Sequence, residues 1–215
     1  VRVDAEFVWV LDPIDGTKGF LRGDQFAIAL ALLDGGKPVL GVLGCPALGE
    51  SGSLFYASRG GGAFWGDTHG AASEAFGSSD AEAIAAASRP LRVGPEPQGN
   101  GLIRTEAFEA SHSNHDQARR VASRLGCAGT PSIRMDGQCK YGLVSRGDAH
   151  IFTRLPRPGY VEWIWDHAAG SIIVEEAGGR VSDTEGRELD FSRGAQLCTS
   201  VRGIVATNGI VHDAV

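Results

Sequence analysis

The chain has 215 residues, 42% of them apolar, with a formal net charge of −6, enough for one substantial core or two small lobes. The negative balance excludes a broad basic surface for nucleic acid, so a phosphorylated ligand must be met by a local group of cations or metal ions. No apolar run reaches the roughly 18 residues of a helical membrane span.

Residues 7–11, Phe-Val-Trp-Val-Leu, form a short apolar run of strand type, which Asp12-Pro13 is expected to end because proline removes a ladder donor. Residues 26–33 and 39–43 are further strands, joined by Asp34-Gly35-Gly36-Lys37 as a hairpin loop. Residues 53–58 and 63–65 add two more around Gly60-Gly61-Gly62, making this half mostly antiparallel sheet. Residues 71–101 are rich in Ala, Ser, Glu, Gly and Pro, a composition read as a flexible surface segment. Beyond it helix and strand alternate: helix at 115–125, strand at 132–134, helix at 138–145 and strand at 149–153. Asp166 stands where an N-cap is expected for a helix over 167–177, which Gly178-Gly179 stops, and a last strand covers 203–206. The chain divides into an antiparallel-rich lobe, 1–110, and an α/β lobe, 111–215.

Chemistry concentrates in Asp12-Pro13-Ile14-Asp15-Gly16-Thr17 and Trp165-Asp166-His167-Ala168-Ala169-Gly170. Asp12 and Asp15 flank a turn that can aim both carboxylates, with the Ile14 carbonyl, at one point, and Asp166 can add a third. Hard oxygen donors of this kind suit Mg²⁺ and metal-assisted hydrolysis of a phosphate ester. Taken singly, Asp12-Pro13 would be read as a turn with an Asx bond, Asp166 as a helix cap and Thr17 as a turn hydroxyl; their combination is what points to a metal. Cys45, Cys127, Cys139 and Cys198 lie far apart without a Cys-x-x-Cys pair. They are expected to be free thiols in a reducing compartment, cytoplasmic or organellar.

The run 9–31, with Asp12-Pro13-Ile14-Asp15-Gly16-Thr17-Lys18-Gly19-Phe20-Leu21-Arg22-Gly23, resembles the first metal motif of the inositol monophosphatase superfamily. Its Lys18-Gly19-Phe20 continuation is nearer the 3'(2'),5'-bisphosphate nucleotidase subgroup, and 165–179 resembles the second motif. The resemblance implies a layered α-β-α-β-α sugar-phosphatase fold, of the fructose-1,6-bisphosphatase and inositol monophosphatase type. It implies Asp12, Ile14, Asp15 and Asp166 as metal ligands, Thr17 as the residue that orients the attacking water, and Gly16 and Thr17 as holders of the scissile phosphate. Ser111-His112-Ser113-Asn114-His115-Asp116 resembles a substrate-binding run with His112 at the ligand position, although by itself it reads as a helix N-terminus. Lys140 and Arg154 match basic contacts to a nucleotide, and Gly137 stands where the family commonly carries serine.

The implied reaction is Mg²⁺-dependent removal of the 3'-phosphate of adenosine 3',5'-bisphosphate or its sulfated relative, sensitive to lithium. The partner is a small phosphorylated nucleotide, with no role for nucleic acid or membrane. The alternatives are an inositol polyphosphate 1-phosphatase and a catalytically incomplete nucleotide-binding fragment. The last arises because the family carries an N-terminal helical part, with a glutamate ligand and a water-activating aspartate, that would precede Val1. Glu6 does not replace them, since at about 3.3 Å per residue it stands roughly 20 Å from Asp12 along a strand. Because the chain starts at Val1 without methionine, almost directly in a strand, and stops at Val215 inside an expected helix, both ends are read as cut, and these residues alone are expected to hydrolyse little.

Overall fold

A computed structural model describes residues 6–69, 71–78, 80–97, 101–108, 115–130, 132–157 and 159–215. The strands β1 (Phe7–Asp15), β2 (Ala27–Asp34), β3 (Lys37–Cys45), β4 (Ser53–Ser58), β5 (Gly62–Gly66) and β6 (Arg89–Pro90) pair in chain order as an antiparallel sheet. Period-two patterning sets its faces: Ala27, Ala29, Ala31 and Leu33 of β2 are buried, and the residues between them point to the other side. Asp34 pairs with Lys37 across a two-residue loop, Gly35-Gly36, in which both glycines take positive φ, as a tight hairpin requires.

The second sheet runs β10-β11-β9-β7-β8. Its members are β7 (Arg104–Ala107), β8 (Ser132–Met135), β9 (Ile151–Arg154), β10 (Arg180–Asp183) and β11 (Ile204–Thr207). β7 is parallel to β8 and β9, so Ala107, Met135 and Arg154 end at one edge, the usual place for a ligand site in such sheets.

Between the sheets lie α5 (Cys139–Arg146) and α6 (Ala168–Glu176). Residues 168–174 of α6 are all buried, the signature of a helix covered on every side. On the far face of the second sheet, α4 (His115–Arg124) packs Ala122 with Leu102, Cys127 and Ile151. On the outer face of the first, α2 (Ala71–Gly77) and α3 (Ala81–Ala86) bring Phe76 and Ile84 against Val42, Leu54, Tyr56 and Phe64. The result is the expected α-β-α-β-α layering. Among the described residues no helix is long and apolar enough to cross a membrane.

Three local expectations change. Proline does not end β1, which continues to Asp15 as an edge strand with an irregularity after Asp12. The 71–101 stretch holds α2, α3 and β6, anchored by isolated apolar residues too few to form a periodic pattern. A helix not foreseen from the sequence, α1 (Thr17–Arg22), follows β1 directly, starting from Gly16 in the left-handed conformation.

Close approach of α6 to β3 depends on Gly41, where a Cβ would lie 2.5 Å from Ile172 Cγ2 and 2.6 Å from the Ala169 carbonyl oxygen. Gly41→Ala is expected to cost about 1–3 kcal/mol through overpacking. Gly44→Ala, whose Cβ would come no nearer than 3.9 Å to Ile28 Cβ, is expected to stay within about 0.5 kcal/mol. Thermal unfolding of the two variants side by side measures the contrast.

Candidate active site

β1 pairs residue by residue with β2 as far as Asp12 opposite Ala29, and the next paired position is Asp15 opposite Ala27. Three steps on one strand therefore match two on its neighbour. Residues three apart on a regular strand face opposite sides, so the extra residue brings Asp12 and Asp15 to the same side. Pro13 sits inside this irregularity, where no ladder donor is needed. The Ile14 N–H donates to Asp12 Oδ1 at 3.2 Å, the bond of the plain turn reading, which thus coexists with convergence of the carboxylates.

Asp166 is not an N-cap. It closes a 3₁₀ turn, Ile164–Asp166, and α6 starts from His167. The side chain is instead held by Arg154, whose Nη2 donates to Asp166 Oδ2 at 2.9 Å while its Nε donates to Glu162 Oε1 at 2.9 Å. Glu162 in turn meets His167 Nε2 at 3.2 Å, and His167 Nδ1 meets the Tyr141 hydroxyl at 2.8 Å. Glu162, His167 and Tyr141 are almost fully buried, so the chain of bonds is shielded from water.

Oxygens of Asp12, Asp15 and Asp166 lie within 4.8 Å of one another. Burial, with Asp15 and Asp166 close by, raises the Asp12 carboxyl to about 6, and burial raises Asp166 as well. Three crowded carboxylates, two of them, Asp12 and Asp166, with raised pKa, are a donor set that fits a hard divalent cation. Glu162, Asp166 and His167 form a second close group, but Glu162 and His167 are bonded to each other, to Arg154 and to Tyr141, and read as its support.

The floor of the site is a contact between two loops. Gly16 has φ 85°, and a Cβ there would stand 2.8 Å from the Gly137 nitrogen; Gly137 has φ 66°, and its Cβ would stand 2.7 Å from the Asp15 oxygen. A serine at 137 would be strained here in both respects. Lys140 is buried and donates to the carbonyls of Met135, at 3.1 Å, and Gly137, at 2.6 Å, holding this loop in place. Burial lowers its pKa from the ordinary lysine value. Asp136 pairs with Arg22 of α1, tying the same loop to the end of the first motif.

A cleft of about 290 Å³ gathers Asp12, Ile14, Asp15, Gly16, Thr17, Lys140, Arg154 and Asp166. His112 lies outside the described residues. The architecture matches a known family over its length: the model of the inositol monophosphatase family covers residues 1–214. The chain belongs to that family. A 3'(2'),5'-bisphosphate nucleotidase of Oryza sativa is 50% identical over 206 residues, spanning 93% of this chain and 55% of the relative. One from Dictyostelium discoideum is 40% identical over 212 residues, 96% of this chain and 59% of the relative. The chain thus spans a little over half the length of these curated relatives. Among solved structures, CysQ of Bacteroides thetaiotaomicron superposes with a TM-score of 0.75 at 22% identity, over 97% of this chain and 72% of that one. An IMPase of Thermotoga maritima gives 0.67 at 26% identity, over 97% and 66%.

Asp136, Tyr160 and Trp163 also line the cleft, and Glu162 supports it, yet none of the four stood out in the sequence. The available signal was a cluster: Tyr160, Glu162, Trp163 and Trp165 crowd the short run before Asp166, too dense in aromatic rings for an idle loop.

Glu162 is the test of the supporting network. Its burial would raise the carboxyl, but His167 and Arg154 outweigh that and hold it at about 2. A depressed acid stabilises the fold above its unfolded value, about 4.3, and loses that contribution as pH falls toward 2. Glu162→Gln is therefore expected to cost roughly 3 kcal/mol near pH 7. The gap between wild type and variant in denaturant unfolding is expected to hold from neutral pH to about 5 and to narrow below 4.

Proposed function

We propose that this chain is the catalytic part of a metal-dependent phosphatase that removes the 3'-phosphate of adenosine 3',5'-bisphosphate, or of its sulfated relative. The observation that carries the reading is the meeting of Asp12, Asp15 and Asp166 within 4.8 Å, in a cleft that also holds Thr17, Lys140 and Arg154. The relatives at 50% and 40% identity are named as 3'(2'),5'-bisphosphate nucleotidases, which supports a bisphosphate nucleotide as the substrate class.

Asp12, Asp15 and Asp166, with Ile14 beside them, would hold Mg²⁺, which when bound supplies charge neutralisation at the phosphate and lowers the pKa of water. The Thr17 hydroxyl, at the start of α1, orients the attacking water, and the backbone around Gly16 and Thr17 faces the scissile phosphate. Arg154 keeps the Asp166 carboxylate aimed inward. Lys140 fixes the 136–137 loop against Asp15 and adds positive charge under the cleft. Tyr160 and Trp163 give the opening two aromatic walls, and Trp163 is stacked on Trp165 at 4.7 Å between ring centres. Rigid aromatic faces suit a nucleobase better than a polyol, which favours the nucleotide over an inositol polyphosphate.

In the full-length protein, Asp12→Asn is expected to lower magnesium-dependent release of phosphate from adenosine 3',5'-bisphosphate by at least about 100-fold. The circular dichroism spectrum should be unchanged. Activity within a few-fold of wild type at saturating magnesium would refute the ligand assignment. Faster turnover of an inositol polyphosphate than of the nucleotide would refute the substrate.

A further inference from the structure

An aspartate just before a helix ordinarily turns its carboxylate onto the N–H groups of the first turn, which have no partner within the helix, and Asp166 stands two residues ahead of α6. Here another residue takes that role. His167, at the start of α6, makes no capping bond with its side chain, and the N–H of Gly170 in the first turn donates across the core to Gln138 Oε1 at 3.3 Å.

The same amide also bonds on the other side of Asp166. Gln138 Nε2 donates to the carbonyl of Trp165, the residue before Asp166, at 2.8 Å. The side chain is 2% exposed, so water does not replace either bond when it is lost. Gln138 therefore brackets Asp166 along the chain, at 165 and at 170, and leaves its carboxylate to Arg154 and to the cluster with Asp12 and Asp15.

The backbone of Gln138 belongs to the opposite wall. It follows Gly137, where a Cβ would stand 2.7 Å from the Asp15 oxygen, and its carbonyl accepts from the Tyr141 N–H at 2.9 Å at the start of α5. The gap to α6 is narrow: a Cβ on Gly170 would lie 2.2 Å from Tyr141 Cδ2. A glutamine spans that gap with its amide oxygen and nitrogen both bonded, whereas an apolar side chain offers neither bond.

We propose that Gln138 is a positioning residue that caps α6 in place of Asp166 and fixes Asp166 relative to Asp12 and Asp15, and so sets the affinity of the three carboxylates for a divalent cation. This rests on the metal reading given above. Gln138 acts through its neighbours, since it does not line the cleft.

The test is calorimetric titration of Mg²⁺ into the full-length protein without substrate. Q138M, close in volume but without an amide, is expected to bind Mg²⁺ about tenfold more weakly than wild type. N208A removes a buried amide at the end of β11 remote from Arg154, where Asn208 Nδ2 donates to the Gly94 and Pro95 carbonyls at 3.1 Å. It is expected to lower the denaturant midpoint as Q138M does, while leaving Mg²⁺ affinity within about twofold of wild type. In turnover, the KM for Mg²⁺ is expected to rise in Q138M by a larger factor than kcat falls. Q138N, with the amide on a shorter stem, is titrated in parallel, is expected to weaken Mg²⁺ in the same direction, and serves as the test if Q138M does not fold. Mg²⁺ affinity within about twofold of wild type in the Gln138 variants, or an equal loss in N208A, overturns the proposal. Absence of Mg²⁺ binding by wild type removes the metal reading and this role with it. Mg²⁺ binding without release of phosphate removes only the reaction, and the contrast between Q138M and N208A still decides the role of Gln138.

Discussion

One guanidinium makes the site possible. Arg154 stands between Glu162 and Asp166, with 2.9 Å contacts to each, at the end of a strand in the second sheet. Without a cation there, Asp166 would join Asp12 and Asp15 only by adding a third negative charge to an already desolvated cluster. Glu162 then anchors the arginine through a buried path to His167 and Tyr141, which ends in the packed layer of α5 and α6. The position of a cleft carboxylate is thereby fixed by the core, the condition for holding a metal in one geometry.

The same principle governs the opposite wall. Asp12 and Asp15 share a side because β1 gains a residue relative to β2, and the loop at 136–137 can press against them because Gly16 and Gly137 have no side chains. Lys140 and the Arg22–Asp136 pair secure that loop from within the protein and from α1. Two separate motifs and a strand-end loop from the second sheet therefore meet as rigid parts. The parallel strands β7, β8 and β9 supply one edge of the meeting place and the bulged β1 supplies the other.

Charge in this molecule is segregated more sharply than its total indicates. Carboxylates crowd the centre of the cleft, Arg154 is bonded to Asp166 and Glu162, and Lys140 is bonded to two main-chain carbonyls.

The sequence by itself determined most of the strands, though not the short β6, β7 and β10, together with the buried helix and the residues of both acidic motifs, because period-two and period-3.6 patterning and the order of Asp12, Asp15 and Asp166 are local properties. It also indicated Gly16, Thr17, Lys140 and Arg154, all of which line one cleft. What it could not determine was phase and partnership. Whether Asp15 shares a side with Asp12 depends on a mismatch with β2 that is invisible in β1 alone. Asp166 resembled a cap because an aspartate before a helix usually is one; the 3₁₀ turn and Arg154 twelve residues earlier redirect it. Lys140 and Arg154 looked like free cations until the fold brought carbonyls to one and carboxylates to the other. Arg22 and Asp136, 114 positions apart in the chain, were two unrelated charges in the sequence, and only the packing of the second sheet's edge against the end of β1 makes them a pair, because a tertiary contact is something that linear order does not record.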